Sequence, residues 1–267
     1  MTTTLSPTRP GQAGARSDLA APGTMTVLAR AVAADAVRLR SLRSTWWSLA
    51  AGAAMMLALA LAVGLDGEEV APAWLAGEIG IVFAQFALLV PAMLLVTSDH
   101  ATGTVQSTLL SVPRRGVLAV ARLLVAVSST VVAAVVLAAI ADATAWVAMG
   151  QPADTTIGEV VASLGDVAIV MGVGTVLVVG TATVLRNAAG TLTAAFLGLL
   201  VLPAMLPEFG VPWLATIGES LPGAGTMSML QAFGDPLLST SRAVVVIVTW
   251  VVVAVVAATW SLVRRDA

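Results

Sequence analysis

Long charge-free apolar runs alternate with short polar stretches along this chain, and that alternation predicts its elements. The runs cover 44–65, 79–97, 117–140, 167–185, 188–206 and 243–263, and only Arg122 interrupts them with a charge. At about 1.5 Å of rise per helical residue, each can cross a hydrocarbon core of about 30 Å. The expected fold is therefore an all-α integral membrane protein with six transmembrane helices. Trp46 and Trp47 open the first run, where indole rings favour the membrane–water boundary. Pro91 predicts a kink in the second.

Two further stretches are patterned differently. Between 24 and 43, Leu28, Val32, Ala36 and Leu39 share one helical face, with Arg30 and Arg38 roughly opposite. This pattern predicts an amphipathic helix lying in the inner interface ahead of the first span; the alternative is a simple extension of that span. The stretch 207–241 carries Trp213, Leu214, Ile217, Met227, Met229, Leu230 and Phe233, too apolar for a freely solvated loop. Glu208, Glu219, Asp235 and scattered Pro and Gly prevent a seventh span. Re-entrant or interfacial helices before the sixth span fit both facts, and an outer loop packed on the bundle is the alternative.

The segment 1–23 is rich in Thr, Ala, Pro and Gly without apolar periodicity, which predicts a disordered cytoplasmic tail. It lacks the apolar core of about 7–15 residues that a cleavable signal would need. Residues 24–267 then form a single six-helix membrane domain.

Charge sets the expected orientation. All 13 basic residues are arginine. With both termini cytoplasmic, Arg9, Arg16, Arg30, Arg38, Arg40, Arg43, Arg114, Arg115, Arg122, Arg186, Arg264 and Arg265 lie inside, and Arg242 alone lies outside. That distribution obeys the positive-inside rule. An odd number of spans would strand Arg264 and Arg265 on the outer side.

Composition narrows the chemistry. Hydrophobic residues make up 58% of the chain, charged residues 10%, and the mean hydropathy is +0.98. A soluble domain does not require that balance. The chain has no lysine, so it cannot form the phosphate loop of a Walker A nucleotide site. It has no cysteine, which excludes disulfides, thiol nucleophiles and Cys-ligated metals. His100 is the one histidine, so His-based metal sites and a Ser-His-Asp triad lack partners.

Asp142 and Asp166 form the best carboxylate pair, near the outer ends of the third and fourth spans. They suggest an intramembrane aspartyl protease, but the run Ser163-Leu164-Gly165-Asp166 lacks the first glycine of the Gly-x-Gly-Asp pattern. Both aspartates read better as interfacial acids at the edges of the apolar runs. Within the runs, Gln85, Ser128, Ser129, Thr130, Thr175, Thr181, Thr191 and Thr193 can hydrogen-bond across helices or line a substrate path. No ionisable residue falls at mid-membrane, which argues against a proton- or ion-coupled pump. Gly172, Gly174 and Gly180 lie inside the fourth span and suit close helix packing.

The stretch 98–116, SDHATGTVQSTLLSVPRRG, is a polar hairpin between two spans and must emerge from the lipid. Gly103 permits unusual backbone geometry. Residues 105–111 suffice for about two helical turns presenting Leu109 or Leu110 to a partner groove. Pro113 ends that helix. Arg114 and Arg115 then meet headgroups or acidic partner residues; a purely topogenic loop is the alternative.

Asp99, Gly103-Thr104, Leu109-Leu110, Pro113 and Arg114-Arg115 together resemble the loop after the second span in membrane subunits of type-2 ABC (ATP-binding cassette) exporters. There the loop reads as an acid, a short gap, Gly-Thr, an apolar pair, Pro and basic residues. The Leu221-Pro222-Gly223-Ala224-Gly225 run looks like that family's Pro/Gly motif before its sixth span. Asp99 stands where Glu is more frequent, and Arg122 where Lys is usual.

The resemblance implies a permease subunit of an ATP-driven exporter in a bacterial cell membrane, paired with a second permease chain. A cytoplasmic ATP-binding subunit would contact Asp99, His100, Gly103, Thr104, Thr108, Leu109, Leu110, Pro113, Arg114 and Arg115. ATP and Mg would belong to that partner. No cofactor on this chain and no nucleic-acid partner are expected. Gln85, Ser128, Ser129, Thr175 and Thr191 remain candidates for the substrate path or for helix packing. The rival readings are a secondary transporter or channel, and an integral-membrane enzyme using Asp142 and Asp166.

Overall fold

The structure is a computed structural model that describes residues 23–65, 72–101, 115–150, 155–232, 234 and 236–265. The described residues form helices and short connections, without strands. In chain order the helices are α1 (Thr24–Ser41), α2 (Arg43–Leu65), α3 (Leu75–Ala101), α4 (Arg115–Ala148) and α5 (Ile157–Leu185). Then come α6 (Ala188–Phe196), α7 (Leu202–Met205), α8 (Pro212–Ser220), α9 (Pro222–Met227) and α10 (Thr240–Arg265).

Six stretches among the described residues are long and apolar enough to span a membrane: Arg43–Leu65, Leu75–Ser98, Gly116–Ala148, Ile157–Leu185, Ala188–Phe209 and Thr240–Ser261. The expected runs therefore all become helices, but several are longer than their apolar cores. α4 continues past Asp142 to Ala148, because Ala, Thr and Trp there sustain the helix after hydropathy falls. α5 starts ten residues before the expected 167, at a capping box. Thr156 Oγ1 accepts from the Glu159 N–H at 3.3 Å, and Glu159 Oε2 accepts from the Thr156 N–H at 2.9 Å. At its other end Arg186, in the left-handed region (φ 53°), closes α5, and Asn187 caps α6 by accepting from the Gly190 N–H at 2.9 Å.

α3 and α5 are the central pillars. Their membrane-length windows are 67% and 61% buried, against 11% for α10. Ile81, Val82, Leu88 and Leu89 of α3 meet Met56 and Ala60 of α2 and Val167, Val170, Met171 and Val178 of α5 in one core. α4 adds a stripe of small residues, Ala134, Ala138, Ala141 and Ala145, all fully buried. Such a stripe lets helix backbones approach closely where lipid supplies no hydrophobic drive. Phe86 of α3 stacks edge-on against Phe196 of α6, with centroids 5.1 Å apart.

Pairings between distant residues fix the direction of each helix. Gly77, near the start of α3, touches Asp142, near the end of α4, so these two run antiparallel. Ser163, early in α5, donates to the Trp74 carbonyl, so α5 runs parallel to α3. The bundle thus has a loop end, where α3 finishes and α4 begins, and a far end, where Trp74, Glu78, Asp142 and Ser163 gather.

The stretch after α6 departs from regular helix for a chemical reason. Pro203 has no N–H to donate to the Leu199 carbonyl, and the chain widens into a π-turn over Leu197–Val201. The Leu202 N–H bonds Leu197 instead. Beyond a 3-10 turn (Pro207–Phe209), 207–241 holds the two short helices α8 and α9. Every residue from Pro222 to Thr226 in α9 is buried, whereas Trp213 and Ile217 of α8 are exposed. Trp250 of α10 donates to the Ser220 carbonyl at 2.8 Å, and Arg242 pairs with Glu219 at 3.2 Å. These contacts hold the pair of short helices against α10.

Candidate functional site

At the loop end, the expected contact residues fall mostly outside the described stretch. Gly103, Thr104, Thr108, Leu109, Leu110, Pro113 and Arg114 lie outside the described residues. Asp99 and His100 belong to the last turn of α3, and Arg115 is the first residue of α4. The structure does define the roots of this hairpin and what grips them.

That grip comes from α1. Its buried face carries Ala31, Asp35 and Leu39 at helical spacing. Leu39 packs into a cluster with Ala92 and Leu95 of α3 and Val125 and Ala126 of α4, with Val32 and Ala36 alongside. Polar contacts then tie α1 to both legs of the hairpin. Arg38 Nη2 donates to Ser98 Oγ at 2.9 Å, three residues before α3 ends. Arg122 Nε lies 3.9 Å from Asp35 Oδ2, on the second turn of α4. Both side chains of that pair are largely buried, at 13% and 9% exposure. Arg122, the one charge within an apolar run, is thus held inward by the acid on α1.

A second polar cluster occupies the far end, and the sequence pattern pointed to only part of it. Asp142, expected as a solvated interfacial acid, is 5% exposed. Its Oδ1 accepts the Gly77 N–H at 2.7 Å, in the space a β-carbon on residue 77 would need. Glu78, one residue on, is fully buried, and its Oε2 accepts the Gln231 N–H at 2.5 Å. Ser163 Oγ donates to the Trp74 carbonyl at 3.3 Å beside them. Asp166 lies on the same α5, half-buried. Glu78 escaped the sequence reading because the apolar run begins one residue after it. Among the described residues, no group of three His, Cys, Asp or Glu is arranged to hold a metal.

The candidate path residues do not converge on one surface. Gln85, Thr175 and Thr191 are buried, whereas Ser128 and Ser129 are exposed on α4. Their hydrogen bonds are local. Gln85 Nε2 donates to the Val82 carbonyl at 2.8 Å, and Ser128 Oγ to that of Val125 at 3.3 Å. Ser129 Oγ donates to the Val125 carbonyl at 2.6 Å. Thr175 Oγ1 donates to Met171, and Thr191 Oγ1 to Asn187, each at 2.7 Å. These groups are satisfied by back-bonding to the preceding turn, the usual solution for hydroxyls in apolar helices.

No protein-family model and no curated protein matches this chain.

Proposed function

We propose that this chain is the membrane-spanning permease subunit of an ATP-driven exporter of the type-2 ABC class. Two permease chains assemble in a bacterial cell membrane with both termini cytoplasmic, and each binds a separate ATP-binding subunit through residues 98–116. α1 lies in the inner interface, and α8 and α9 dip into the outer leaflet. ATP and Mg stay on the partner, since a chain without lysine lacks the residue that a phosphate loop uses.

The observation that carries this reading is the double tie of α1. A loop that receives force from a partner transmits it only if its roots are stiff. Here Arg38–Ser98 and Asp35–Arg122 join one amphipathic helix to both roots. A displacement of the loop then moves α1, α3 and α4 together, and α3 is a central pillar of the bundle. A loop that merely oriented the chain would not need such bracing.

Affinity purification of the full chain in mild detergent tests the proposal. Co-recovery of a Walker A protein, with ATP hydrolysis present in the complex and absent from the isolated chain, supports it. Saturable ATP binding by the isolated chain overturns it.

A second reading is favoured by one observation. Glu78 and Asp142 are buried acids in membrane-length helices, where ionisable residues usually serve transport. Proton-driven uptake by the purified chain alone in vesicles would establish a secondary transporter instead.

A further inference from the structure

Glu78 and Asp142 share an arrangement that an ordinary structural carboxylate does not need. Each uses one oxygen to accept a backbone N–H, from Gln231 and Gly77 respectively. Each leaves its second oxygen, Glu78 Oε1 and Asp142 Oδ2, buried and without a hydrogen-bond partner. Trp74, whose carbonyl takes the Ser163 hydroxyl, also keeps its indole N–H buried and unpaired.

Charge makes the arrangement costly if both acids are ionised. Burying an unpaired carboxylate is strongly unfavourable even after relaxation. No cation in the described structure offsets it. Arg242, on α10, pairs with Glu219 of α8. Arg38 and Arg122 bond at the loop end. The described residues of α2 carry one charge, Arg43, also at the loop end, and α9 and residues 228–232 carry none. α5 faces Glu78 with the Ser163 hydroxyl and with a further acid, Asp166.

A neutral carboxyl group explains the pattern without a counter-ion. Its carbonyl oxygen accepts the N–H, and its hydroxyl oxygen carries the proton where no acceptor bond is needed. We propose that Glu78 and Asp142 form a proton-binding site at the far end of the bundle, and that the bound proton keeps this end closed. Glu78 bridges the start of α3 to Gln231, in the connection that leads into α10. Asp142 bridges α4 to the same turn of α3. Loss of the proton leaves like charges in a buried space with Asp166 nearby. They relax by admitting water, and α3 parts from the connection around Gln231. The site stands whether transport is driven by ATP on a partner or by an ion gradient.

The test uses the full chain in lipid nanodiscs. Infrared difference spectra across a pH titration should show a protonated-carboxyl C=O band that disappears as pH rises. Glu78→Gln combined with Asp142→Asn should remove that band at every pH. In parallel, Leu230→Cys, at a position only 4% exposed, leaves the Gln231 N–H that Glu78 accepts in place and reports opening by its rate of maleimide labelling. Normalised to Ser239→Cys, an exposed reference, that rate should rise several-fold with pH in the parent background. It should stay flat when Glu78→Gln is added. Absence, in the otherwise unaltered chain, of a carboxyl band that persists above about pH 5, where exposed acids have ionised, overturns the proposal even if the variants fail to fold. So does labelling that follows sodium concentration at fixed pH, because the occupant would then be a metal cation.

Discussion

Gly223 of α9 sits so tightly against Leu199 that a β-carbon built on it would lie 2.2 Å from the Leu199 carbonyl oxygen. This is the carbonyl that loses its helical donor to Pro203, and the bulge around it makes the seat for α9. A side chain at 223 would meet backbone, which cannot swing aside.

Gly223→Ala should therefore destabilise the chain by about 1–3 kcal/mol, the usual cost of forcing extra volume into a packed site. Gly165 is the control, because nothing lies within 4 Å of a β-carbon there. Gly165→Ala, inside α5, should be neutral or stabilising by up to about 1 kcal/mol. Thermal unfolding in detergent, followed by size exclusion, reads both. Equal melting of the two variants would contradict the tight seat.

The Asp35–Arg122 pair makes a second prediction. Arg122→Leu removes a buried charged partner of Asp35 and should cost about 1.5–3 kcal/mol. Replacing both residues with Leu should cost less than the sum of the single changes, because neither member then faces a missing partner. A double-mutant cycle on melting free energies checks this. Strict additivity would mean that the 3.9 Å contact does not couple α1 to α4.

Orientation is open to a direct chemical test, since the chain has no cysteine. Ser239→Cys and Asn187→Cys place single thiols on exposed residues at opposite ends of the bundle. In intact cells a membrane-impermeant maleimide should label position 239 and spare 187. The reverse pattern would invert the proposed topology and move the 98–116 loop away from any cytoplasmic ATPase.

Coupling through the loop is tested by Leu109→Asp with Leu110→Asp. Burying one leucine contributes roughly 1.5–3 kcal/mol, and an unpaired carboxylate in the same groove adds a penalty. The double variant should insert normally yet lose co-purification of the ATP-binding subunit and lose export. Wild-type recovery of both would show that the loop is not the docking surface.

Helix existence was legible in the sequence because it depends on local quantities. Every apolar run from 44–65 to 243–263 became a membrane-length helix, since twenty or so apolar residues satisfy their backbone within the segment itself. The amphipathic helix at 24–43 and the two short helices within 207–241 were likewise readable from spacing and from Pro and Gly. Helix ends were less so. Hydropathy drops at Glu78, Asp142 and Asp166, and a window of apolar residues stops there, although α3, α4 and α5 continue through all three.

What the chain alone determined is its partition into apolar helices and polar connections, because burial against lipid or protein selects the same residues. What only the tertiary structure decided is which polar groups meet. Asp142 finds Gly77 across 65 positions, and Glu78 finds Gln231 across 153. Asp35 on α1 holds Arg122 of α4 in the interior. No local spacing encodes such partners, since a carboxylate looks the same in sequence whether water or a buried N–H satisfies it. The packing of α3 between its neighbours sets that difference, by excluding water from Glu78 while bringing a backbone donor to it.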